Sequence, residues 1–283
     1  MLANNFPLPD RGRRDVICPL IAFASTSYRL PGMRRVRIRV LAAAAVLFCA
    51  LSTSAILFAQ VLGYWRGPIV QNDPPKTEFV FARWRYTTNG AIGGVGWAHN
   101  YPEGEINLNQ FIAGVTGVDV ERLSYRIVDL QSDEVFRYPF ALISEPGEMD
   151  LTQKEFENLR EYVDRGGFIV VDDFDGDWQL DNFRRQLAIA FPDRSLEPLR
   201  ITHPIFNTFY SIESLDTFDP YVPGDEPIFY GLNNESGTLS IVACHNNDLQ
   251  NFWDWIGTPR YPLRPASEAF RMGANFTIYA MTR

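Results

Sequence analysis

The stretch FIVVDDFDGDW, residues 168–178, joins an apolar run directly to four aspartates. Asp172 and Asp173 follow the apolar residues at once. Carboxylates in such a position can bind a metal ion, work as a catalytic acid and base, or face water at a strand end. An EF-hand loop does not fit, because Gly176 comes too early for that motif. The sequence leaves the three interpretations open.

Two further apolar runs end in polar residues. PFALIS, residues 139–144, and LSIVAC, residues 239–244, have the composition of buried strands. A capped amphipathic helix separates PFALIS from FIVV, which predicts a β–α–β unit with parallel strands. If the third run is also parallel, all three strand ends meet at the carboxyl edge of one sheet, where α/β proteins bind ligands. The primary site candidates are Glu145, Asp172, Asp173, His245 and Asp248.

A second tier of candidates lies elsewhere. His99 and Tyr101 fall in a long glycine-rich stretch that could cover a pocket. His203 precedes a proline, which forces an extended backbone and favours a structural role. The sequence contains no P-loop, no G-x-S-x-G elbow and no CxxC pair. No catalytic residue, metal or cofactor is assigned, and a non-catalytic domain is favoured over an enzyme.

The N-terminal part predicts export. Residues 1–39 hold eight arginines, and residues 40–62 are apolar and uncharged. That run is either a transmembrane anchor or a signal peptide, with Met33 as an alternative start. The arginines favour the cytoplasm, so the body is predicted to lie outside the inner membrane, in the periplasm or another extracytoplasmic space. Residues 63–76 are then a linker, and residues 77–283 form the exported domain.

The charge of the chain limits its partners. The formal net charge is −8, although the first 39 residues are basic. A body that acidic repels phosphate backbones, which excludes nucleic acid. The predicted partners are the membrane, through the N-terminal helix, and another protein of the cell envelope.

Several stretches resemble a known bacterial family when they are taken in order. They are FVFARWRY, WAHNYPEGEINL, YPFALISEPGEMDLT, LREYVDRGGFIVVDDF, HPIF, ACHNNDL and MGANFTIYAMT. Together they are similar to domain of unknown function 4159, from about Thr77 to Arg283. The resemblance implies an α/β fold of the flavodoxin-like, class I glutamine-amidotransferase-like type, with a mostly parallel sheet and helices on both faces. Amidotransferases carry a cysteine after a central strand, where this chain has Asp172 and Asp173, so their chemistry is not expected.

The expected function is ligand or partner binding by a non-catalytic domain of the cell envelope. The alternative is a hydrolase in which Asp172 or Asp173 and His245 act as acid and base, with or without a metal ion. Geometry distinguishes the two, because an acid and a base must converge on one small void.

Overall fold

The computed structural model describes three ranges of the chain, residues 69–215, 225–258 and 262–283. The predicted basic segment (1–39), the predicted anchor or signal peptide (40–62) and residues 63–68 of the linker lie outside the described residues. Among the helices of the described ranges, none is long and apolar enough to cross a membrane.

A seven-stranded sheet organises the described residues. Its strands are β1 (Phe81–Arg85), β2 (Tyr125–Asp129), β3 (Phe140–Ser144), β4 (Phe168–Phe174), β5 (Glu197–Pro198), β6 (Ile228–Asn233) and β7 (Leu239–His245). Their spatial order is β2-β1-β3-β4-β7-β6-β5. The strands from β2 to β7 in that order are parallel, and β6 and β5 continue the sheet in antiparallel pairing. The prediction of a mostly parallel sheet is confirmed.

Helices cover both faces of this sheet. They are α1 (Glu103–Val115), α2 (Gln153–Asp164), α3 (Gly176–Ala190), α4 (Leu249–Asp254) and α5 (Leu263–Thr282). Leu159 of α2 and Phe183 of α3 belong to the apolar core on one face. Leu108 of α1, Trp253 of α4 and Phe276 of α5 belong to the core on the other face. The domain is therefore a three-layer α/β fold, as the sequence predicted.

The β3–α2–β4 unit forms as its local signals predict. Thr152 and Glu155 make the reciprocal capping box at the start of α2. Gly166, with a φ of 87°, follows the end of α2 and turns the chain into β4. Ser144 at the end of β3 pairs in parallel register with Asp172 of β4. Because β7 is also parallel to β4, the three predicted strand ends do lie at one edge of the sheet.

The end of β4 was predicted wrongly, and the next helix follows it closely. Helix α3 begins at Gly176, two residues after Phe174, the last residue of β4. Gly176 has a φ of 66°, which lets the chain enter the helix soon after the strand. Strand β4 also continues through Phe174, so that Asp172 and Asp173 are part of the strand and are buried. A solvated strand end is therefore excluded for these two aspartates.

The edge of the sheet formed by β2 is covered by side-chain amides. Gln71 donates from Nε2 to the carbonyl of Ile127 (2.7 Å) and accepts from its amide N–H (2.9 Å). Asn72 donates from Nδ2 to the carbonyls of Leu123 and Tyr125. The segment before β1 thereby satisfies polar groups that an edge strand would otherwise offer to another chain.

Replacing Gln71 with alanine tests this cover. The amide of Ile127 loses its acceptor, so we expect its hydrogen exchange to become about fivefold faster, which corresponds to about 1 kcal/mol of local stability. Gln153→Ala on α2, where Gln153 bonds only Glu157 among the residues described, is the matched control. Unchanged exchange at Ile127 in the Gln71 variant would show that the amide does not protect the edge.

Candidate functional site

The chain changes direction at the carboxyl edge of the sheet, between β1 and β3. After β1 the chain crosses to β2 on one side, whereas β3 lies on the other side of β1. Such a change of direction is where open α/β sheets bind ligands. The loop after β1 and the turn after β3 meet here so closely that a Cβ at Gly96 would lie 2.6 Å from Cβ of Glu145. The glycine is therefore required for the approach of the two segments.

The glycine-rich loop is wrapped around a carboxylate of the same chain. Glu148 is fully buried, and its Oε1 accepts hydrogen bonds from the amides of Ile92 and Gly94 (2.8 Å for Gly94). Its Oε2 accepts from the amide of Gly96 at 3.0 Å. Backbone N–H groups in such a loop can hold an anion, and here that anion is Glu148. The loop that carries His99 is thus fixed to the turn after β3.

Three side chains converge beside this loop. His99 donates from Nδ1 to Oδ2 of Asp173, and the same nitrogen lies 3.7 Å from Oε1 of Glu145. One potential ligand atom from each residue lies within 4.8 Å of the other two. The side chains of His99, Glu145 and Asp173 are 16%, 12% and 7% exposed, so water screens their interactions only weakly. We call these three residues the switch-point cluster.

The backbone of the switch-point cluster is strained. Glu145 has φ 53° and ψ 51°, and Asp173 has a φ of 65°. The left-handed conformation costs a non-glycine residue about 1–2 kcal/mol. Two neighbouring carboxylates held this way indicate a site whose geometry is maintained despite its energetic cost.

Burial and like charge perturb the titration of the switch-point cluster. Burial, followed by the charges of Asp173 and Glu148, raises the pKa of Glu145 far above its ordinary value. Burial lowers the pKa of His99, but the charge and hydrogen bond of Asp173 outweigh it and the net shift is upward. Nearby, burial and the charge of Asp173 raise the pKa of Asp175 to about 7. The site therefore favours bound protons or another cation.

Two of the predicted carboxylates hold a helix. Asp248 is the N-cap of α4, and its Oδ1 accepts from the amide of Asn251 at 2.9 Å. Asp172 accepts from the amide of Gln250 at 2.9 Å through Oδ2, while its buried Oδ1 has no hydrogen-bond partner. Burial, with the charge of Asp173, raises the pKa of Asp172. Both residues lie at the predicted edge, and both contact the first turn of α4.

The other candidates lie outside the switch-point cluster. His245 contacts the carbonyl of Gly176 through Nε2 at 3.1 Å, and its ring packs against Phe174. His203 accepts from the amide of Ile205 as the cap of a 3-10 turn, as its predicted structural role implies.

Tyr101 also makes structural contacts outside the switch-point cluster. Its hydroxyl donates to the carbonyl of Val70, and its ring packs edge-to-face on Tyr125. Of the residues predicted from sequence, the structure brings His99, Glu145 and Asp173 into one cluster.

Two residues of the site were not predicted. Ser144 ends β3 with its Oγ 3.5 Å from Oδ2 of Asp173. Arg83 is buried in β1 and donates to the carbonyl of His99 at 3.0 Å. An arginine inside the apolar run FVFARW was the available signal, because arginine is rarely buried without a partner.

Comparison with known families supports the predicted resemblance. Residues 80–281 match the family model described as Domain of unknown function (DUF4159), which is well over half of the chain. This chain belongs to DUF4159. No curated protein matches it. The matched range contains His99, Glu145 and Asp173, so the switch-point cluster lies within the DUF4159 domain itself.

The raised carboxyl pKa values predict that the metal-free DUF4159 protein loses stability as pH rises. The folded protein keeps protons on Asp172 and Asp175 above pH 4, where the unfolded chain has released them. The free energy of unfolding should therefore fall by several kcal/mol between about pH 4 and about pH 7, mostly through the fully buried Asp172, because each unit of pKa shift corresponds to about 1.4 kcal/mol.

Urea unfolding at pH 5 and pH 8 in the presence of a chelator measures this change. Asp172→Asn removes one of the titrating groups and should reduce the difference between the two pH values. Glu157→Gln changes an exposed carboxylate on α2 and should leave the difference as it is. Higher stability at pH 8 than at pH 5 in the unmodified protein would contradict the assignment.

Proposed function

We propose that this DUF4159 domain binds a divalent metal ion through His99, Glu145 and Asp173, and that the ion helps to hold a ligand or an envelope protein without catalysis. The observation that carries the proposal is the approach of three ligand atoms to within 4.8 Å of one another at the carboxyl edge of the sheet. One imidazole nitrogen and two carboxylate oxygens are a set that suits Zn²⁺ or Mn²⁺.

The separations of these atoms are compatible with one ion. Ligand atoms in a tetrahedral zinc site lie about 3.3–3.5 Å apart, because each bond is about 2.0–2.2 Å long. Nδ1 of His99 and Oε1 of Glu145 are 3.7 Å apart. Asp173 is in hydrogen-bond contact with His99, so the ion would replace the proton between them. The two ligand atoms would then move farther apart, to the spacing of a zinc site.

The electrostatics of the site also favour a cation. Glu145 and Asp173 are largely buried, and the nearby Arg83 is paired with Glu105. A divalent ion would offset the repulsion between the two carboxylates of the switch-point cluster.

A metal-dependent hydrolase is the second candidate function. Three protein ligands leave a coordination position open for water, which a bound zinc ion would activate. The acid–base pair predicted from sequence needs a different histidine, because His245 contacts Gly176 and Phe174 whereas His99 contacts Asp173. Hydrolysis of activated esters that disappears in His99→Ala but not in His245→Ala would favour this candidate over binding alone.

We further propose that the domain acts outside the inner membrane. The support is the uncharged run at residues 40–62 behind an arginine-rich segment, which fits an anchor or a signal peptide. We also propose a flavodoxin-like, amidotransferase-like variant of the α/β fold. The order β2-β1-β3-β4, followed by β7, corresponds to the flavodoxin-like strand order and supports this finer assignment.

Metal addition should stabilise the full chain. At a free Zn²⁺ or Mn²⁺ concentration about 100 times Kd, binding adds about 2.7 kcal/mol to the free energy of unfolding, so we expect Tm to rise by about 5–10 °C. His99→Ala removes the nitrogen ligand and should abolish the rise. His203→Ala, which loses a cap and a ring contact with Tyr279 away from the switch-point cluster, is the matched histidine control and should keep the rise. A Tm that does not respond to millimolar metal in the unmodified chain would exclude the site.

Glu145→Gln should have opposite effects on the two forms of the protein. The variant keeps the shape of the side chain, but folding no longer has to protonate or bury the ionised carboxyl of Glu145, so the metal-free protein should gain about 1–2 kcal/mol at pH 8. The same variant should lose the rise in Tm with metal, because an amide is a poorer metal ligand. Chemical unfolding with and without Zn²⁺ measures both effects, and Glu157→Gln should change neither. A metal-free variant that is less stable than the parent at pH 8 would contradict the proposed cost of burying the Glu145 carboxyl.

A further inference from the structure

We infer that the buried ion pair of Arg83 and Glu105 is a positioning device for His99, and that it sets the metal affinity of the switch-point cluster. The inference rests on the proposed metal binding, although its geometric part can be tested without metal. Arg83 is a positioning residue in this scheme, because it contacts the backbone of His99 and none of the proposed ligand atoms in the described contacts.

The pair lies under the loop that carries His99. Arg83 comes from β1 and Glu105 from α1, and both side chains are fully buried. Nε of Arg83 donates to Oε1 of Glu105 at 2.6 Å. Nη1 donates to the carbonyls of Trp97 and His99, at 3.2 Å and 3.0 Å. One guanidinium therefore joins the central sheet, helix α1 and the backbone of the proposed metal ligand.

The loop needs such an anchor because it has little regular structure. Between β1 and α1 its helical part is a single 3-10 turn, Gly96–Ala98. The amides of the glycine-rich half are bound by Glu148. The carbonyls at the other end of the loop are bound by Arg83. The two buried charges together fix the backbone on both sides of the 3-10 turn, and so they determine where the imidazole of His99 lies.

Stability alone does not account for this pair. Removing two charges from water is costly, and apolar replacements of buried pairs are often neutral or stabilising. Nη2 of Arg83 and Oε2 of Glu105 are also buried without hydrogen-bond partners, which adds to the cost. The planar guanidinium is distinctive because it can donate to a carboxylate and to two carbonyls from one rigid fork. That property serves placement of the loop.

The decisive variant replaces both charges together. In the full chain, Arg83→Met combined with Glu105→Leu should keep the free energy of unfolding without metal at or above that of the parent. Calorimetric titration should show Zn²⁺ affinity weakened about 10- to 100-fold, the range seen when outer partners of metal ligands are removed. Hydrogen exchange at the His99 amide, which bonds the carbonyl of Gly96, should become faster. A folded double variant with unchanged Zn²⁺ affinity would overturn the inference.

Two further variants distinguish placement of the His99 loop from the effect of charge and from loss of folding. Arg83→Lys keeps a positive charge opposite Glu105 but lacks the fork, so its Zn²⁺ affinity should also fall, and it carries the test if the double variant does not fold. Arg165→Met with Glu161→Leu removes an exposed pair on α2 and should leave the affinity unchanged. An unmodified chain that binds neither Zn²⁺ nor Mn²⁺ refutes the proposed function. In that case faster exchange at His99 in the double variant still supports positioning, and unchanged exchange refutes it.

Discussion

The arrangement of this domain depends on how it compensates negative charge buried at the carboxyl edge of its sheet. Glu148 is compensated by the amides of the glycine-rich loop. Asp172 and Asp248 are compensated in part by the first turn of α4. Glu145 and Asp173 have less compensation. Asp173 contacts the imidazole of His99 and has the hydroxyl of Ser144 at 3.5 Å, and burial together with the charge of Asp173 raises the pKa of Glu145. The same edge therefore contains carboxylates that build the structure and carboxylates that remain available to a cation.

The sequence of the glycine-rich loop suggests phosphate binding, but its structure shows another use of the loop amides. GAIGGVG has the composition of a loop that binds phosphate, because glycines expose backbone N–H groups to an anion. Here the anion is Glu148, supplied from the turn after β3, and Gly94 has a φ of 79° that a larger residue would adopt only with strain. The loop amides are thus bound to a carboxylate of the same chain and not to an external phosphate. This contact fixes the loop that carries His99.

The sequence predicted the framework well because its signals are local. The capping box at Thr152, the glycine after α2 and the continuous apolar strands each act within a few residues, and they are enough to define β3, α2 and β4.

The composition of the site was harder to predict. Alternation along a strand assigns faces only while the pleat is regular, and β4 is irregular between Val171 and Phe174, where Asp173 turns left-handed. His99 reaches Asp173 from 74 residues away, a contact that depends on buried Glu148 and Arg83 rather than on spacing.

The amide cover on β2 affects how the domain would respond to mechanical load. Gln71 and Asn72 fasten the chain along the outermost strand just before the domain begins. Tension applied to the preceding chain would first reach these few side-chain bonds, which can yield one after another. The strands that carry the switch-point cluster, β3 and β4, are separated from that point of attachment by β1. A force applied to the chain before Gln71 would thus peel away the outer segment while the central strands stay paired.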